Sequence, residues 1–164
     1  MENVNGVIKM IINIYNNVKV KIDSEDLDLV NSYKWHITDT GYVVTSKHIR
    51  IDKNKYTTKN IRLHRLIMGL PNGNIDHING DKLDNRKSNL RLCNQSQNIA
   101  NSKISKRNKS GLKGVFKHQQ CDRWAAQIRI NGKNTHLGLF NDKYDAYGAY
   151  ITHAIEHFGE YANV

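Results

Sequence analysis

The chain has 164 residues, with 25 lysines and arginines against 15 aspartates and glutamates, and its net charge is +10 at pH 7. This length suits one or two small domains, and no apolar run approaches the roughly 18 residues that a membrane span needs. The two cysteines, Cys93 and Cys121, are too few for a disulfide framework or a four-cysteine zinc site. We therefore expect a cytoplasmic protein without a membrane-spanning segment and without structural zinc.

The positive charge increases along the chain. Residues 1–60 have a net charge of +2, residues 61–100 of +3 and residues 101–164 of +5, and the stretch 101–120 contains six basic residues and no acidic one. A basic excess attracts polyanions, because each neutralised phosphate releases condensed counterions. Charge alone leaves two interpretations open, nucleic-acid binding and an ordinary basic surface.

Residues 1–60 are predicted to form a small β-rich region. Apolar and polar residues alternate over Val18–Ile22, which indicates a half-buried strand. A turn then leads to a short helix containing Leu27 and Val30, and strand character resumes over Trp35–Thr45. Catalytic residue types are not concentrated here. Contact with DNA, dimerisation and plain support all remain open as roles for this region.

Residues 61–101 combine short elements with a polar loop. The predicted elements are, in chain order, a helix over Leu63–Leu70, a strand over Ile75–Ile78, a strand over Leu90–Cys93 and a helix over Gln95–Asn101. Pro71 ends the first helix. Asn94 is a favourable N-cap for the second helix, and Gln97 completes a capping box.

A basic linker, residues 102–112, leads into a C-terminal domain, residues 113–164. Three strands are predicted there, over Lys113–His118, Trp124–Ile130 and Asn134–Phe140, and the Asn131-Gly132 pair favours a tight hairpin turn. Residues 141–158 have the apolar spacing of an amphipathic helix, which Gly159 follows. The predicted fold class is α+β.

Asp76 and His77 are the first candidates for chemistry. Asn98 follows on a predicted helix, and if that helix packs on the two strands, Asp76 and Asn98 can offer oxygen ligands to one hard cation. Such ligands suit Mg²⁺ or Mn²⁺. His77 could then act as a base beside the metal.

Five short motifs in residues 61–101 together resemble the HNH nucleases. They are Leu63-His64-Arg65-Leu66, Ile75-Asp76-His77-Ile78-Asn79-Gly80, Asp84-Asn85, Asn89-Leu90-Arg91 and Gln97-Asn98. The resemblance is to the subgroup of phage and intron-encoded homing endonucleases, in which Asn replaces the final His. It implies a ββα-metal fold, a general base at His77 and metal ligands at Asp76 and Asn98. It also implies that Asn89 braces the loop and orients His77.

This resemblance agrees with the needs of phosphodiester hydrolysis. A water must be deprotonated in line with the leaving oxygen, and a cation must neutralise charge on the phosphate. The expected products are a 5′-phosphate and a 3′-hydroxyl. Further candidates for phosphate contact are His64, Arg65, Arg86 and Arg91, and for His64 a structural role is an equal alternative.

The C-terminal domain resembles AP2-type DNA-binding domains. The motifs are Gly114-Val115, Arg123-Trp124-Ala125-Ala126-Gln127-Ile128, Leu137-Gly138-Leu139-Phe140, Asp145-Ala146, Ala149-Tyr150 and Phe158-Gly159. The resemblance implies a three-stranded antiparallel sheet that enters the major groove and is packed on one helix.

Alternation along the central strand predicts the face that meets DNA. Trp124, Ala126, Ile128 and Ile130 are expected to pack on the helix. The residues expected to face DNA are Ala125, Gln127 and Arg129, with Lys113, Lys117, Lys133, Thr135 and His136 from the flanking segments.

The leading hypothesis is a metal-dependent, site-directed endonuclease that acts on double-stranded DNA. A phage-encoded monomer with one active site is favoured, and such a monomer would cut one strand, whereas a dimer would cut both; the sequence leaves the oligomeric state open. The first alternative is a sequence-specific DNA-binding regulator that retains a non-catalytic HNH scaffold. The second is an RNA-binding protein, which the lack of exposed aromatic pairs on the sheet disfavours.

Overall fold

The computed structural model describes residues 3–4, 7–53 and 55–164. The chain divides into two compact units, Met1–Leu92 and Cys93–Val164. The described residues form four sheets, three of them antiparallel with three strands each, and four α-helices, in agreement with the predicted α+β class. Among these residues, no helix is long and apolar enough to cross a membrane.

The first unit begins with a three-stranded sheet in sequential order. Its strands are β1 (Asn3–Val4), β2 (Val7–Ile14) and β3 (Val18–Asp23), with a 3₁₀ turn over Tyr15–Asn17. The predicted strand is therefore present as β3. A second 3₁₀ turn, Ser24–Asp26, leads into the short helix α1 (Leu27–Asn31), also as predicted.

A second sheet contains a long hairpin. Its strands are β4 (His36–Ile37), β5 (Val43–Asp52) and β6 (Lys55–Arg62), in sequential order. Strand β5 extends well beyond the predicted end at Thr45. Its outer half and β6 carry few buried side chains, so hydrophobic alternation gave no signal for them.

Helix α2 (Leu63–Ile67) ends earlier than predicted. Gly69 and Leu70 both have positive φ angles, 73° and 56°, which an α-helix does not accommodate. The guanidinium group of Arg65 donates hydrogen bonds to the carbonyl oxygens of Pro71 and Gly73, and these bonds close the turn after the helix.

Two short strands complete the first unit. Strand β7 (Asn74–His77) pairs with β8 (Leu90–Cys93), and a 3₁₀ turn over Lys87–Asn89 precedes β8. One core cluster joins the N-terminal region to these elements. Its buried members are Val20, Ile22, Val30, Trp35, Val43, Leu63, Ile67, Ile75 and Leu90. Burial of each large aliphatic side chain stabilises the fold by about 1.5–3 kcal/mol, so residues on both sides of position 60 hold this unit together.

The second unit begins with helix α3 (Gln95–Asn101). The predicted capping box is present: the Asn94 side chain accepts a bond from the Gln97 backbone N–H at 2.9 Å, and the Gln97 side chain accepts one from the Asn94 backbone N–H at 2.8 Å. These bonds satisfy two donors that the first helical turn would otherwise leave unpaired.

A three-stranded sheet and one long helix form the rest of this unit. The strands are β9 (Val115–Lys117), β10 (Trp124–Ile130) and β11 (Lys133–Phe140), with β10 in the centre. Helix α4 (Lys143–Phe158) packs on the sheet, and a 3₁₀ turn over Gly159–Tyr161 follows it. The predicted strands and helix are confirmed as elements.

The sheet has one face against α4 and one open face. Ala126 and Ile128 are buried on the helix face, as predicted. The expectation that Ala125 is accessible is wrong, since it is 1% exposed. It lies directly between Phe116 and Leu139, and directly opposed residues share a face, so these larger side chains cover its methyl group.

Candidate active site

Asp76 and His77 lie at the end of strand β7 and are both buried, at 6% and 4% exposure. Adjacent residues on a strand point to opposite sides, so each side chain meets different partners. His77 is directed toward the loop that follows, and Asp76 toward strand β8. Burial limits the motion of both groups.

Asn85 holds the imidazole of His77. Its Oδ1 lies 3.3 Å from His77 Nε2, and its Nδ2 donates to the carbonyl oxygen of Lys82 at 3.2 Å. The second bond fixes the orientation of the amide, so the oxygen faces the ring. His77 Nε2 then carries the proton and donates it, which leaves Nδ1 as the basic nitrogen.

The protonation state of His77 follows from its burial. Desolvation lowers its pKa from the ordinary value, although the hydrogen bond with Asn85 and the nearby carboxylates of Asp76, Asp81 and Asp84 oppose this effect. His77 is therefore neutral at physiological pH. A neutral imidazole is the form that accepts a proton.

His64 lies directly beside His77. The two rings meet edge to face with centroids 4.9 Å apart, and the Tyr42 ring lies 5.5 Å from His64 and 6.4 Å from His77. Burial, with the nearby His77, Arg62 and Arg65, lowers the pKa of His64 to about 3. His64 therefore packs as a neutral ring against the candidate base.

Asp76 is paired with Arg91 in this structure. Nε and Nη2 of Arg91 both donate to Asp76 Oδ2, at 3.2 and 3.1 Å. The side chain of Arg91 is 11% exposed. Arg91 thus balances a buried carboxylate, and its guanidinium group is engaged within the protein.

Asn89 braces the loop between the two strands. Its Nδ2 donates to Asn79 Oδ1 at 3.0 Å and to the Asp84 carbonyl at 2.8 Å, and its Oδ1 accepts from the Asn79 backbone N–H at 3.1 Å. The backbone carbonyl of Asn89 also accepts from the Ile78 N–H. These bonds hold the loop directly after His77, while the imidazole itself is contacted by Asn85.

Asp84 is the fully buried charge of this loop. Arg86 donates to both its carboxylate oxygens, Asn79 donates to Oδ2, and the Lys21 ammonium lies 4.0 Å away. Burial alone would raise the pKa of Asp84, but these partners, Arg86 foremost, hold it below its usual value. Asp84 is therefore ionised and fixes the loop from inside.

The N-terminal region supports the same loop through its backbone. The Lys21 N–H donates to the Leu83 carbonyl, and the Asn85 N–H donates to the Lys21 carbonyl, both at 2.8 Å. The Asp23 carboxylate accepts from the Lys87 backbone N–H at 2.7 Å. Strand β3 therefore fixes the position of Asn85, which in turn holds His77.

The predicted site residues of residues 61–101 are brought together only in part. His77, Asp76 and Asn89 lie around one loop of the first unit, whereas Asn98 lies on α3 of the second unit. The guanidinium groups of Arg65, Arg86 and Arg91 all have partners within the protein. Metal ligation by Asp76 and Asn98, and phosphate contact by these arginines, remain predictions.

The predicted DNA-facing residues of the second unit do not share one face. Directly opposed residues lie on the same face, so Gln127 pairs with His136, and Arg129 with Asn134, on the open side. Lys117, Lys133 and Thr135 lie opposite Trp124, Ile130 and Ile128, on the helix side. The prediction of a common face is wrong for these three. For Lys133 and Thr135 the cause is a bulge in the β10–β11 pairing, which changes the register after Ala126. Lys117 lies on β9, outside that bulge, and pairs directly with Trp124.

Lys113 has a clear internal role. Its Nζ donates to the carbonyl oxygens of Ala100, Ser102 and Asn163, the last two at 2.7 and 3.1 Å. Burial lowers the pKa of this amine to about 8. Lys113 thus ties the end of helix α3 to the C-terminal end of the same unit.

The comparisons with known proteins identify the family. Residues 62–100 match the family model described as HNH endonuclease. A protein of Acanthamoeba polyphaga mimivirus, described as an uncharacterized HNH endonuclease, is 30% identical over 141 residues, which cover 82% of this chain and 67% of that protein. The chain belongs to the HNH endonuclease family. As a member, it is a DNA endonuclease.

A second relative matches over a shorter region. Protein 3.8 of Escherichia phage T7 is 39% identical over 59 residues, which cover 36% of this HNH endonuclease and 49% of the phage protein. These two relatives come from a mimivirus and a bacteriophage.

Three contributors to the site of this endonuclease escaped the sequence analysis. Asn85 was recognised as part of a motif without a role, while Tyr42 and Lys21 reach the site from a distant part of the chain. The Asp84-Asn85 motif was a local signal for the first. The other two depend on tertiary packing, which no local pattern reports.

Proposed function

We propose that this endonuclease hydrolyses one strand of double-stranded DNA, with His77 as general base and a divalent cation, Mg²⁺ or Mn²⁺, held by Asp76 and Asn98. The observation that carries the proposal is the state of His77: buried, neutral, and held through Nε2 by an amide of fixed orientation.

The donor chemistry fits a hard cation. Asp76 offers carboxylate oxygens and Asn98 an amide oxygen, and such ligands suit Mg²⁺ or Mn²⁺. Arg91 already shares the Asp76 carboxylate. When bound, the cation would neutralise charge on the phosphate and on the leaving 3′-oxygen.

The protein's own groups perform the proton transfer. Nδ1 of His77 takes a proton from the attacking water, and Asn85 stabilises the resulting imidazolium through Nε2. Asn89 keeps the loop behind the base in place. Attack of the deprotonated water on phosphorus breaks the bond to the 3′-oxygen, which takes up a proton from solvent, and gives a 5′-phosphate and a 3′-hydroxyl.

The second unit would select the DNA site. The proposal is supported by its net positive charge and by the polar part of the open face of its sheet, where Gln127, Arg129 and His136 are presented together. This arrangement favours recognition in the manner of AP2-type domains, in which the sheet enters the major groove and its side chains contact base edges.

Plasmid cleavage tests the proposal. Supercoiled DNA is incubated with the protein in Mg²⁺, Mn²⁺ or EDTA, beside His77→Ala and the control His36→Ala, which changes an exposed histidine of the same unit. We expect open circles in either metal ion, none in EDTA, and a loss of at least about 100-fold for His77→Ala alone. Binding without cleavage in any metal would overturn the proposal in favour of a DNA-binding regulator.

A further inference from the structure

The outer part of the β5–β6 hairpin is a basic, exposed two-stranded ribbon, defined here as residues 46–53 and 55–60. From residue 43 to residue 62 the sequence contains six lysines and arginines and one acidic residue, Asp52. Three apolar side chains of the ribbon are also exposed: Ile49 by 38%, Ile51 by 58% and Tyr56 by 61%. This combination of cations and accessible apolar groups is not explained by the active site.

The register of the ribbon places two lysines against each other. Lys47 lies directly opposite Lys59, so the two ammonium groups share one face, with Ile49 and Thr57 as the next pair on that face. Like charges directly opposed across a sheet are destabilising. The arrangement is therefore unfavourable in the free protein and would become favourable beside a polyanion.

The opposite face carries groups of another kind. Ser46 donates a hydrogen bond to Asn60 Oδ1 at 2.9 Å, and the Arg50 guanidinium lies over the ring of its cross-strand partner Tyr56 at 6.0 Å. Arg50 also donates to the carbonyl oxygens of Asp52 and Lys53, which stiffens the end of the hairpin. The ribbon is thus a stiff element, with the Lys47–Lys59 pair on one face and hydrogen-bonding groups, including the Arg50 guanidinium, on the other.

The basic surface continues from the ribbon to its base. A groove of about 530 Å³ at the base of the hairpin is lined by Lys59, Arg62 and Arg65 among others, and none of its lining residues is acidic. Arg65 adjoins His64, whose ring contacts His77. Within the first unit, positive charge therefore extends from the ribbon toward the helix that packs on the candidate base.

We propose that the β5–β6 ribbon is a DNA-contacting element, in which Lys47 and Lys59 bind phosphates of duplex DNA as the ribbon enters the major groove. That groove admits a two-stranded ribbon, and apolar side chains such as Ile51 can contact thymine methyl groups there. Net charge argues against a second copy of this chain as the occupant, since two such ribbons would repel. The inference rests on the proposed function, because it takes duplex DNA as the substrate.

Salt-dependent binding tests the inference. The full-length protein binds a random-sequence 40-bp duplex in EDTA, and the binding constant is measured between 50 and 300 mM KCl. Lys47→Gln/Lys59→Gln is compared with Lys19→Gln/Lys34→Gln, which removes the same charge from exposed positions outside the ribbon. Each phosphate contact contributes about 0.9 to the magnitude of the slope of log K against log salt. We therefore expect the slope of the ribbon variant to be smaller than that of the native protein by about 1.8. An equal slope for both double variants would overturn the inference.

A charge reversal separates binding from folding. Lys47→Glu places opposite charges across the ribbon, so we expect a higher Tm together with weaker DNA binding, by roughly 10-fold. A higher Tm with unchanged binding would overturn the inference. A dimer in light scattering that Ile51→Ser/Tyr56→Ser abolishes, with an unchanged salt slope, would also overturn it and assign the ribbon to a second copy.

The two proposals fail separately. The binding assay needs neither metal nor catalysis, so loss of slope in a protein that does not cut plasmid supports the ribbon and refutes the cleavage mechanism. Metal-dependent cutting with an unchanged slope supports the mechanism and refutes the ribbon.

Discussion

Asn85 Oδ1 lies 3.3 Å from Nε2 of His77, and Asn85 is itself held by the backbone of Lys21. Because Asn85 Nδ2 donates to the Lys82 carbonyl, the oxygen cannot exchange places with the nitrogen without loss of that bond. The pair therefore sets which imidazole nitrogen is basic. Positioning of the base depends on strand β3, which lies more than 60 residues before Asn85 in the chain.

Asn85→Ala should lower the cleavage rate by about 100-fold while DNA affinity stays within about 2-fold, since misplacement of a reacting group costs rate rather than binding. Single-turnover cleavage of supercoiled plasmid and equilibrium binding in EDTA measure the two quantities. Asn72→Ala, at an exposed position of the same unit, serves as the control. An Asn85→Ala enzyme that cuts at the normal rate would show that the contact does not position His77.

Asp84→Asn should destabilise the protein by about 3 kcal/mol at pH 7, because it leaves the partly buried Arg86 without its counter-charge. The folded pKa of Asp84 lies below 3.8, so its ionised form stabilises the fold above the unfolded pKa and loses that effect as pH falls through the folded value. We therefore measure thermal unfolding from pH 7 to pH 2.5. The difference in Tm between the native protein and Asp84→Asn should become smaller only below about pH 4. Asp39→Asn, which changes an exposed carboxylate, should leave Tm unchanged. A Tm difference that stays constant across this pH range would contradict the conclusion that the ionised Asp84 carboxylate stabilises the fold.

Lys113→Met should lower the stability of the second unit by about 2 kcal/mol, since three carbonyl oxygens lose a charged donor. Because these bonds engage the ammonium group, its removal should leave the slope of DNA binding against salt unchanged. Thermal unfolding and the salt titration measure both effects, and Lys109→Met, an exposed neighbour, should not change Tm. A lower slope without a change in Tm would instead support the prediction that Lys113 contacts DNA.

The register of the second sheet makes a further prediction about DNA contact. Gln127→Ala/Arg129→Ala changes the open face and should weaken binding to duplex DNA by about 10-fold or more. Lys133→Ala/Thr135→Ala changes two residues on the helix side of the same sheet and should weaken binding to duplex DNA by less than about 3-fold. Fluorescence anisotropy at one salt concentration compares the pairs. The reverse order would mean that DNA meets the sheet from its other side.

Local patterns predicted the elements whose signals are themselves local. The capping box at Asn94 and Gln97, the strand β3 and the helix α4 followed from side-chain types at fixed spacing. Each depends on contacts within a few residues, or on one apolar face, so the sequence carries the information in full. A local pattern was also enough to single out the candidate base, since the Asp76-His77 pair lies in a recognisable motif.

Other features depended on contacts that the sequence does not report locally. The outer half of the β5–β6 hairpin has no buried face and hence no alternation, and the early end of α2 follows from the conformations of Gly69 and Leu70. Ala125 is covered by side chains of two neighbouring strands. The bulge after Ala126 places Lys133 and Thr135 on the helix side while His136 stays on the open face, and a register shift of this kind is visible only in the paired strands.

The core cluster of the first unit has a consequence for how such sequences can be exchanged between genes. Five of its buried residues precede position 60 and four follow position 62, and the loop behind His77 takes its backbone bonds from Lys21. A recombination breakpoint at the start of the HNH motif would separate the two groups of core residues. The apolar side chains of each group would then be exposed to solvent. The segment that must be transferred as one piece therefore begins no later than strand β3, some forty residues before the first residue that matches the family model.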